Sequence, residues 1–396
     1  MDQNSKHEAL IRRLIQHWGF SPDVEIHLEK VIGSDVAGHA PKYIFSVGPT
    51  RRFLFLGNAG SGWPSTTRVE ARLSALERSA LAHPSGFGPT ALAHSVRTLS
   101  GAMVVVFQEV RYYLTSHVPG CTLAEAVSFD KEHFERYMLL LAAATGALHA
   151  CSHAAGKGIL PMDDAATFWS QLAVQCRSSF GDLAADPKSP LWKGKWTSTH
   201  GELARQARDV LTFIIEDSSN RLGRLSALPA IWNHGDLQMK NVMFDIDKET
   251  SMAAVSTDSS TLDVSSLPTG SLTVIDLTDG AYCSRLYDLY FLLAGGVDDA
   301  VDAGAVVDPS VVKNRFQAYF DGGGQPLSEE ELLLLINACS IKGFGVAQYY
   351  ALWSPKSEAP ALFEQAVRAA LSICGDCKDA IRAAVKEAQS SRRQSK

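Results

Sequence analysis

The chain lacks any run approaching the roughly 18 consecutive apolar residues that cross a bilayer as a helix, so an integral membrane protein is not expected. It also lacks an excess of positive charge: 37 Lys and Arg stand against 43 Asp and Glu, a formal net charge of -6. Without a basic field there is little to hold a phosphodiester backbone, so nucleic acid is not the expected partner, and a neutral or cationic small molecule is. A disulfide framework is missing too. The seven cysteines are an odd count scattered over 396 residues, and a reducing cytoplasmic compartment is the expectation. Met1 to Arg13 has no apolar core of the kind a secretory leader carries. Cys374 and Cys377 form a lone C-x-x-C in a helical pattern. With no second pair and no histidine at ligand spacing they fall short of a four-ligand zinc site and read as helix cysteines. No repeat and no linker divides the chain, and nothing in it fixes an oligomeric state. With 46% hydrophobic and 20% charged residues, it has the composition of an ordinary globular protein.

What is present is one stretch dense in chemistry. Ile231 to Asn241 reads I-W-N-H-G-D-L-Q-M-K-N, and downstream Asp276 follows Leu272-Thr273-Val274-Ile275. Moving a phosphoryl group from a nucleotide needs a carboxylate beside the acceptor hydroxyl and a divalent cation across the phosphates. Asp236 can supply the first. Asn241 lies five residues on, the offset between base and metal-binding amide in the kinase loop H-R-D-x-x-x-x-N. The β-branched run before Asp276 reads as a buried strand, which would deliver that carboxylate at a strand end. Asp279 and Asp288 follow, the latter heading an apolar run. The bland alternative makes Asp236 a turn residue and Asn241 a cap, roles for which both residue types are common.

The pattern H-G-D-L-x-x-x-N, then V-I-D-x-x-D, then Y-D-L, resembles the aminoglycoside phosphotransferase and choline kinase group, which also contains type II homoserine kinases. The resemblance spans most of residues 30 to 295 and is dense from Ile231 to Leu289. It implies an α+β, two-lobed protein-kinase-like fold. A small antiparallel β-sheet lobe would occupy residues 1–116, and a mainly helical lobe with the acceptor site residues 117–396. It further implies ATP- or GTP-dependent phosphorylation of a small-molecule hydroxyl with Mg2+. Carried over position by position, Asp236 matches the base, His234 and Asp288 the residues that brace the loop, and Asn241 and Asp276 the Mg2+ ligands. Asp279 and Gln238 then become candidates for contact with substrate, Asp279 also for metal.

The remaining sequence is compatible with that plan, with one departure. Strand-like segments at Val24–Leu28, Tyr43–Val47 and Phe53–Leu56 alternate with turns, and Gly33, Ser34 and Gly38 lie where a phosphate-covering loop belongs. The third strand, where the family implies a Lys or Arg, reads Phe53-Leu54-Phe55-Leu56-Gly57-Asn58 and carries no basic residue. Lys42, Arg51 and Arg52 are the candidates for a displaced cation, and Glu70 for its helix partner. Ser116, His117 and Val118 resemble the hinge whose backbone meets adenine, ahead of a helix capped by Thr122. Trp169, Trp192 and Trp196 are either core or walls of an acceptor pocket. Residues 245 to 270 form a polar insertion, and one helix is expected over Ala359 to Ala388. The missing lysine keeps a second reading open, a nucleotide-binding pseudokinase with a scaffold role. An antibiotic-inactivating kinase is a third.

Overall fold

The computed structural model describes residues 3–32, 42–48, 50–57, 70–71, 73–78, 90–93, 95–116, 118–130, 133–154, 165–189, 192, 196–245, 267–268, 270–277, 281–295, 308–354 and 358–394. The N-terminal part is an antiparallel sheet in the order Ile26–Ile32, Lys42–Val47, Thr50–Gly57, Val110–Ser116. Val104–Phe107 and Ser95–Val96 both pair with the last of these. Alternation decides which way its side chains face. Tyr43, Phe45 and Val47 are buried against Ile11, Leu14, Ile15 and Trp18, from the helix Gln3–Leu14 and the short turn of helix that follows it. Lys42 and Ile44, on the alternate positions, face the other way, and Ile44 packs against the core of the large lobe. The strand Val110–Ser116 is shared in the same manner, with Tyr112 and Leu114 in the outer cluster and Tyr113 in the main one.

The large lobe is built around the helix Phe134–Ala154, apolar on nearly every face and buried along most of its length, as expected of a central helix. Its closest neighbour is the helix Pro309–Asp321, and Gly146 is what lets the two approach: a Cβ there would lie 2.0 Å from the Tyr319 carbonyl oxygen. The helix Glu329–Leu352 begins with a capping box, in which Ser328 Oγ accepts from the Glu331 amide at 3.1 Å and Glu331 Oε2 from the Ser328 amide at 2.8 Å. This helix is long and apolar enough to cross a membrane, but 78% of that apolar window is buried inside the protein. A second sheet carries the middle of the chain. Val242–Phe244 pairs antiparallel with Leu272–Val274 and with Cys121–Thr122, while Thr90–Leu92 joins Leu272–Val274 in parallel. A two-stranded ladder of Ala230–Trp232 and Tyr282–Ser284 flanks the catalytic-loop segment.

One expectation is corrected here. The single C-terminal helix is two, Ala359–Cys374 and Lys378–Gln394, separated at Gly375, so the C-x-x-C straddles a break instead of lying within a helix. All seven cysteines are free thiols. The apolar run headed by Asp288 forms the short helix Tyr290–Ala294, preceded by a 3-10 turn, Arg285–Tyr287. Of the two readings open for Trp169, Trp192 and Trp196, the core is the one observed, at 0%, 7% and 7% exposure. Gly146→Ala is expected to cost about 1–3 kcal/mol or more through overpacking, read by chemical denaturation; a variant as stable as wild type would mean that the helix pair can part without loss.

Candidate active site

The ladder Ala230–Trp232 delivers the chain into the loop, where the Asn233 side chain donates to the carbonyls of Ile231 (3.2 Å) and Cys283 (3.0 Å). The next two amides share one acceptor. His234 N–H donates to Asp288 Oδ2 at 2.7 Å and Gly235 N–H to Asp288 Oδ1 at 2.8 Å. Gly235 turns with φ +83°, a backbone region open to glycine at no steric cost. The His234 ring is used on both sides: Nδ1 accepts the Asp236 amide at 3.3 Å, so Nε2 carries the proton and donates to the Ile275 carbonyl at 2.8 Å. Burial works against charge on Asp288, which is 0% exposed. The hydrogen bond from His149 leads the opposing contributions and, with the Gly235 amide, outweighs burial and holds its carboxyl below the ordinary value.

Asp236 emerges from this brace half-exposed. Its Oδ1 accepts from Gln238 Nε2 at 2.6 Å and its Oδ2 from Asn241 Nδ2 at 3.2 Å, while Lys240 Nζ lies 3.4 Å from Oδ2. A 3-10 turn, Met239–Asn241, brings Asn241 back beneath the aspartate, where Nδ2 also donates to the Asp236 carbonyl at 2.7 Å. The Asn241 carbonyl accepts the Ile275 amide at 3.0 Å, which sets the residue before Asp276 directly against the loop. Asp276 itself takes φ +58°, strained for a residue with a Cβ. Its Oδ2 meets Lys42 Nζ at 2.5 Å and its Oδ1 accepts from Tyr113 Oη at 3.3 Å. Burial pushes the Asp276 carboxyl up, but the Lys42 cation leads the opposing contributions, and the net result is a pKa of about 2.

The structure thus brings together His234, Asp236, Asn241, Asp276 and Asp288, and of the three candidate cations Lys42 is the one described, paired with Asp276. Two expected roles change. Gln238 is 2% exposed and turned inward to hold Asp236, so it is a brace and not a substrate contact. Glu70 does not meet Lys42; its Oε1 accepts the amides of Met103 (2.9 Å) and Val104 (3.1 Å), tying its helix to the sheet. Ser116 closes the strand Val110–Ser116 opposite Arg52, and Val118 follows half-buried. Gly33, Ser34, Gly38, His117 and Asp279 lie outside the described residues, as do the side chain of Arg52 and most of the 245–270 insertion. Sequence reasoning missed Tyr113 and Lys342. Lys342 had a visible signal, a lone basic residue in the apolar run Leu332–Ala347.

No family model matches the chain, and no curated protein matches it. Solved structures do. The chain is similar to choline kinase from Cryptosporidium parvum Iowa II, at TM-score 0.58 and 9% identity over 94% of this chain and 96% of that one. It is also similar to spectinomycin phosphotransferase in complex with ADP and spectinomycin, at TM-score 0.50 and 14% identity over 92% and 98%. An aminoglycoside phosphotransferase from Alicyclobacillus acidocaldarius matches at TM-score 0.51 and 12% identity over 91% and 94%. At such identities the likeness establishes a shared two-lobed kinase-like fold.

Asp288→Ala leaves two buried amides and His149 without their acceptor, and should cost about 3–5 kcal/mol of stability in chemical denaturation; a loss under about 1 kcal/mol would show the brace to be dispensable. The Lys42–Asp276 pair predicts a pH signature. Because the Asp276 pKa is depressed from 3.8 to about 2, the pair stabilises the fold above the ordinary value and that contribution is lost as pH falls through the lower one. Lys42→Met should therefore lower Tm most at neutral pH, with the gap to wild type closing as the solution is acidified toward pH 2. A gap independent of pH would count against the pair.

Proposed function

We propose that this chain transfers the γ-phosphoryl group of ATP or GTP to a hydroxyl group of a small molecule. The observation that carries the reading is the Lys42–Asp276 ion pair, held beside a half-exposed Asp236 and its partner Asn241. A cation for the phosphates, a carboxylate fixed in its charged form and a reachable base then occupy one cleft. The shared fold supports the same class, since the similar structures are named as phosphotransferases and a choline kinase.

In this reading the acceptor hydroxyl hydrogen-bonds to Asp236. As its oxygen bonds to the γ-phosphorus, the bond to the bridging oxygen breaks, the nucleoside diphosphate leaves and the hydroxyl proton passes to Asp236. Gln238 and Asn241 aim the carboxylate, each on one oxygen. Lys42 stabilises the α and β phosphates in place of a third-strand lysine. Mg2+ suits the donor set: Asn241 directs its nitrogen at Asp236, which leaves the amide oxygen as a ligand beside the Asp276 carboxylate. Among the described residues no group of three or more His, Cys, Asp or Glu side chains could hold a metal alone, and Mg2+ in such sites takes the rest of its shell from substrate phosphates and water. That ion would offset the charge on the separating phosphates. The lobes would divide at residues 116/117, with the 116–118 backbone on the base and Gly33, Ser34 and Gly38 over the phosphates. Asp279 would serve as a further metal or substrate contact. The pseudokinase alternative rests on the missing third-strand lysine, and the Lys42–Asp276 pair favours the enzyme over it.

The test is turnover with ATP or GTP and Mg2+ against hydroxylated amines, amino acids, nucleosides and aminoglycosides, beginning with choline and spectinomycin, for which two similar proteins are named. A product heavier by one phosphate is expected with wild type, and a loss of about 10²-fold or more with Asp236→Asn. No transfer to any acceptor, together with no rise in Tm on adding Mg·ATP or Mg·GTP, would overturn the reading.

A further inference from the structure

The helix Glu329–Leu352 carries a lysine where a core residue belongs. Lys342 is 7% exposed, and its ammonium lies 4.1 Å from the centroid of the Tyr287 ring and 5.3 Å from that of Phe291. Burying an ammonium is costly unless it is paired or hydrogen-bonded. Here the aromatic faces supply part of the compensation, and the Nζ donates to one carbonyl, that of Gly235. Gly235 immediately precedes the proposed base.

We infer that Lys342 is a positioning residue that sets the orientation of Asp236 by clamping the peptide plane between Gly235 and Asp236, an inference that rests on the function proposed above. That plane is the last rotatable element before the aspartate. Lys342 holds its C=O, while its N–H, belonging to Asp236, donates to His234 Nδ1 at 3.3 Å. The preceding plane is held through the Gly235 N–H on Asp288 Oδ1 at 2.8 Å. A buried carboxylate therefore grips the amide of Gly235 and a buried ammonium grips its carbonyl. Rotating the plane would part the cation from the carbonyl and the amide from the imidazole together, and would swing the Asp236 Cα–Cβ direction. None of these contacts touches the side chains of Lys42 or Asp276, and the one link toward them, His234 Nε2 on the Ile275 carbonyl at 2.8 Å, does not involve Lys342, so loss of Lys342 should affect turnover more than nucleotide affinity.

Lys342→Met keeps the length and apolar stem and removes the ammonium. Backbone hydrogen exchange of the peptide covering residues 233–242 is expected to quicken about tenfold, with peptides from the strand Leu272–Val274 and the helix Phe134–Ala154 unchanged. Where wild type turns over Mg·ATP, kcat for phosphate release should fall about 10- to 100-fold with the Mg·ATP KM within about twofold, and Lys342→Arg should recover most of the loss. Unchanged loop exchange would overturn the inference, as would exchange rising equally across the large lobe, or kcat and Mg·ATP affinity failing in proportion. The exchange comparison stands even if wild type proves inactive, so a failed function and a failed clamp remain separate results. Lys342→Gln, which keeps a donor without the charge, takes the place of the methionine variant if that variant does not fold.

Discussion

The site depends on one carboxylate that never meets solvent. Asp288 accepts the amides of His234 and Gly235, and its ionisation inside the core is sustained by a directional chain. The Arg285 guanidinium acts on the Tyr319 hydroxyl through its charge, and that hydroxyl lies 3.1 Å from His149 Nδ1, to which it can donate. The imidazole then presents Nε2–H to Asp288 Oδ2 at 3.4 Å. Arg285 is itself gripped by Glu331 at 2.7 and 2.8 Å, the residue that closes the capping box of the long helix. Each polar group in the series satisfies the next, which is the condition under which a buried polar network stabilises a core. Helix start, core histidine and catalytic loop are therefore one mechanical unit, and the close approach at Gly146 allows Tyr319 to reach His149.

The two lobes meet at Asp276. Its backbone is anchored to the large lobe through the Ile275 amide on Asn241, and its carboxylate is claimed by the small lobe through Lys42 and Tyr113. Its left-handed backbone is the strained element between these anchors, and such strain persists only where surrounding contacts over-determine it. The parallel pairing of Thr90–Leu92 with Leu272–Val274 adds a backbone tether at the same point. An ionised Asp276 is consequently the point at which the sheet and the loop segment are joined by side chain and backbone together.

The loop itself was legible because its chemistry is local. Asp236 and Asn241 are separated by a single tight turn, and Asp288 heads a short apolar run, so residue type and spacing suffice. What escaped was whatever depends on partners distant in sequence. Glu70 looks like any kinase-type helix glutamate until the strand near Met103 is seen to occupy it. Gln238 looks solvent-facing in a polar loop, yet the 3-10 turn folds it inward. The break at Gly375 was hidden because apolar periodicity resumes on both sides of it. Lys342 acts 107 residues from its partner, a separation no motif spans.

The displaced lysine follows from sheet geometry. In the antiparallel pairing of the second and third strands Tyr43 faces Leu54 and Ile44 faces Phe53, so continuing the register sets Lys42 across from Phe55, inside the segment where the resemblance implies a basic residue. Residues directly opposite in such a pair project from the same face of the sheet, on strands about 4.8 Å apart. A lysine moved one strand over at that register keeps its height above the cleft and its side, and its four-carbon stem is long enough to absorb the lateral step. The alternation within its own strand confirms the side, since Tyr43 and Phe45 point to the outer cluster and Lys42 to Asp276. Lys42 thus reaches Asp276 from the second strand, and that carboxylate is held ionised by the pair.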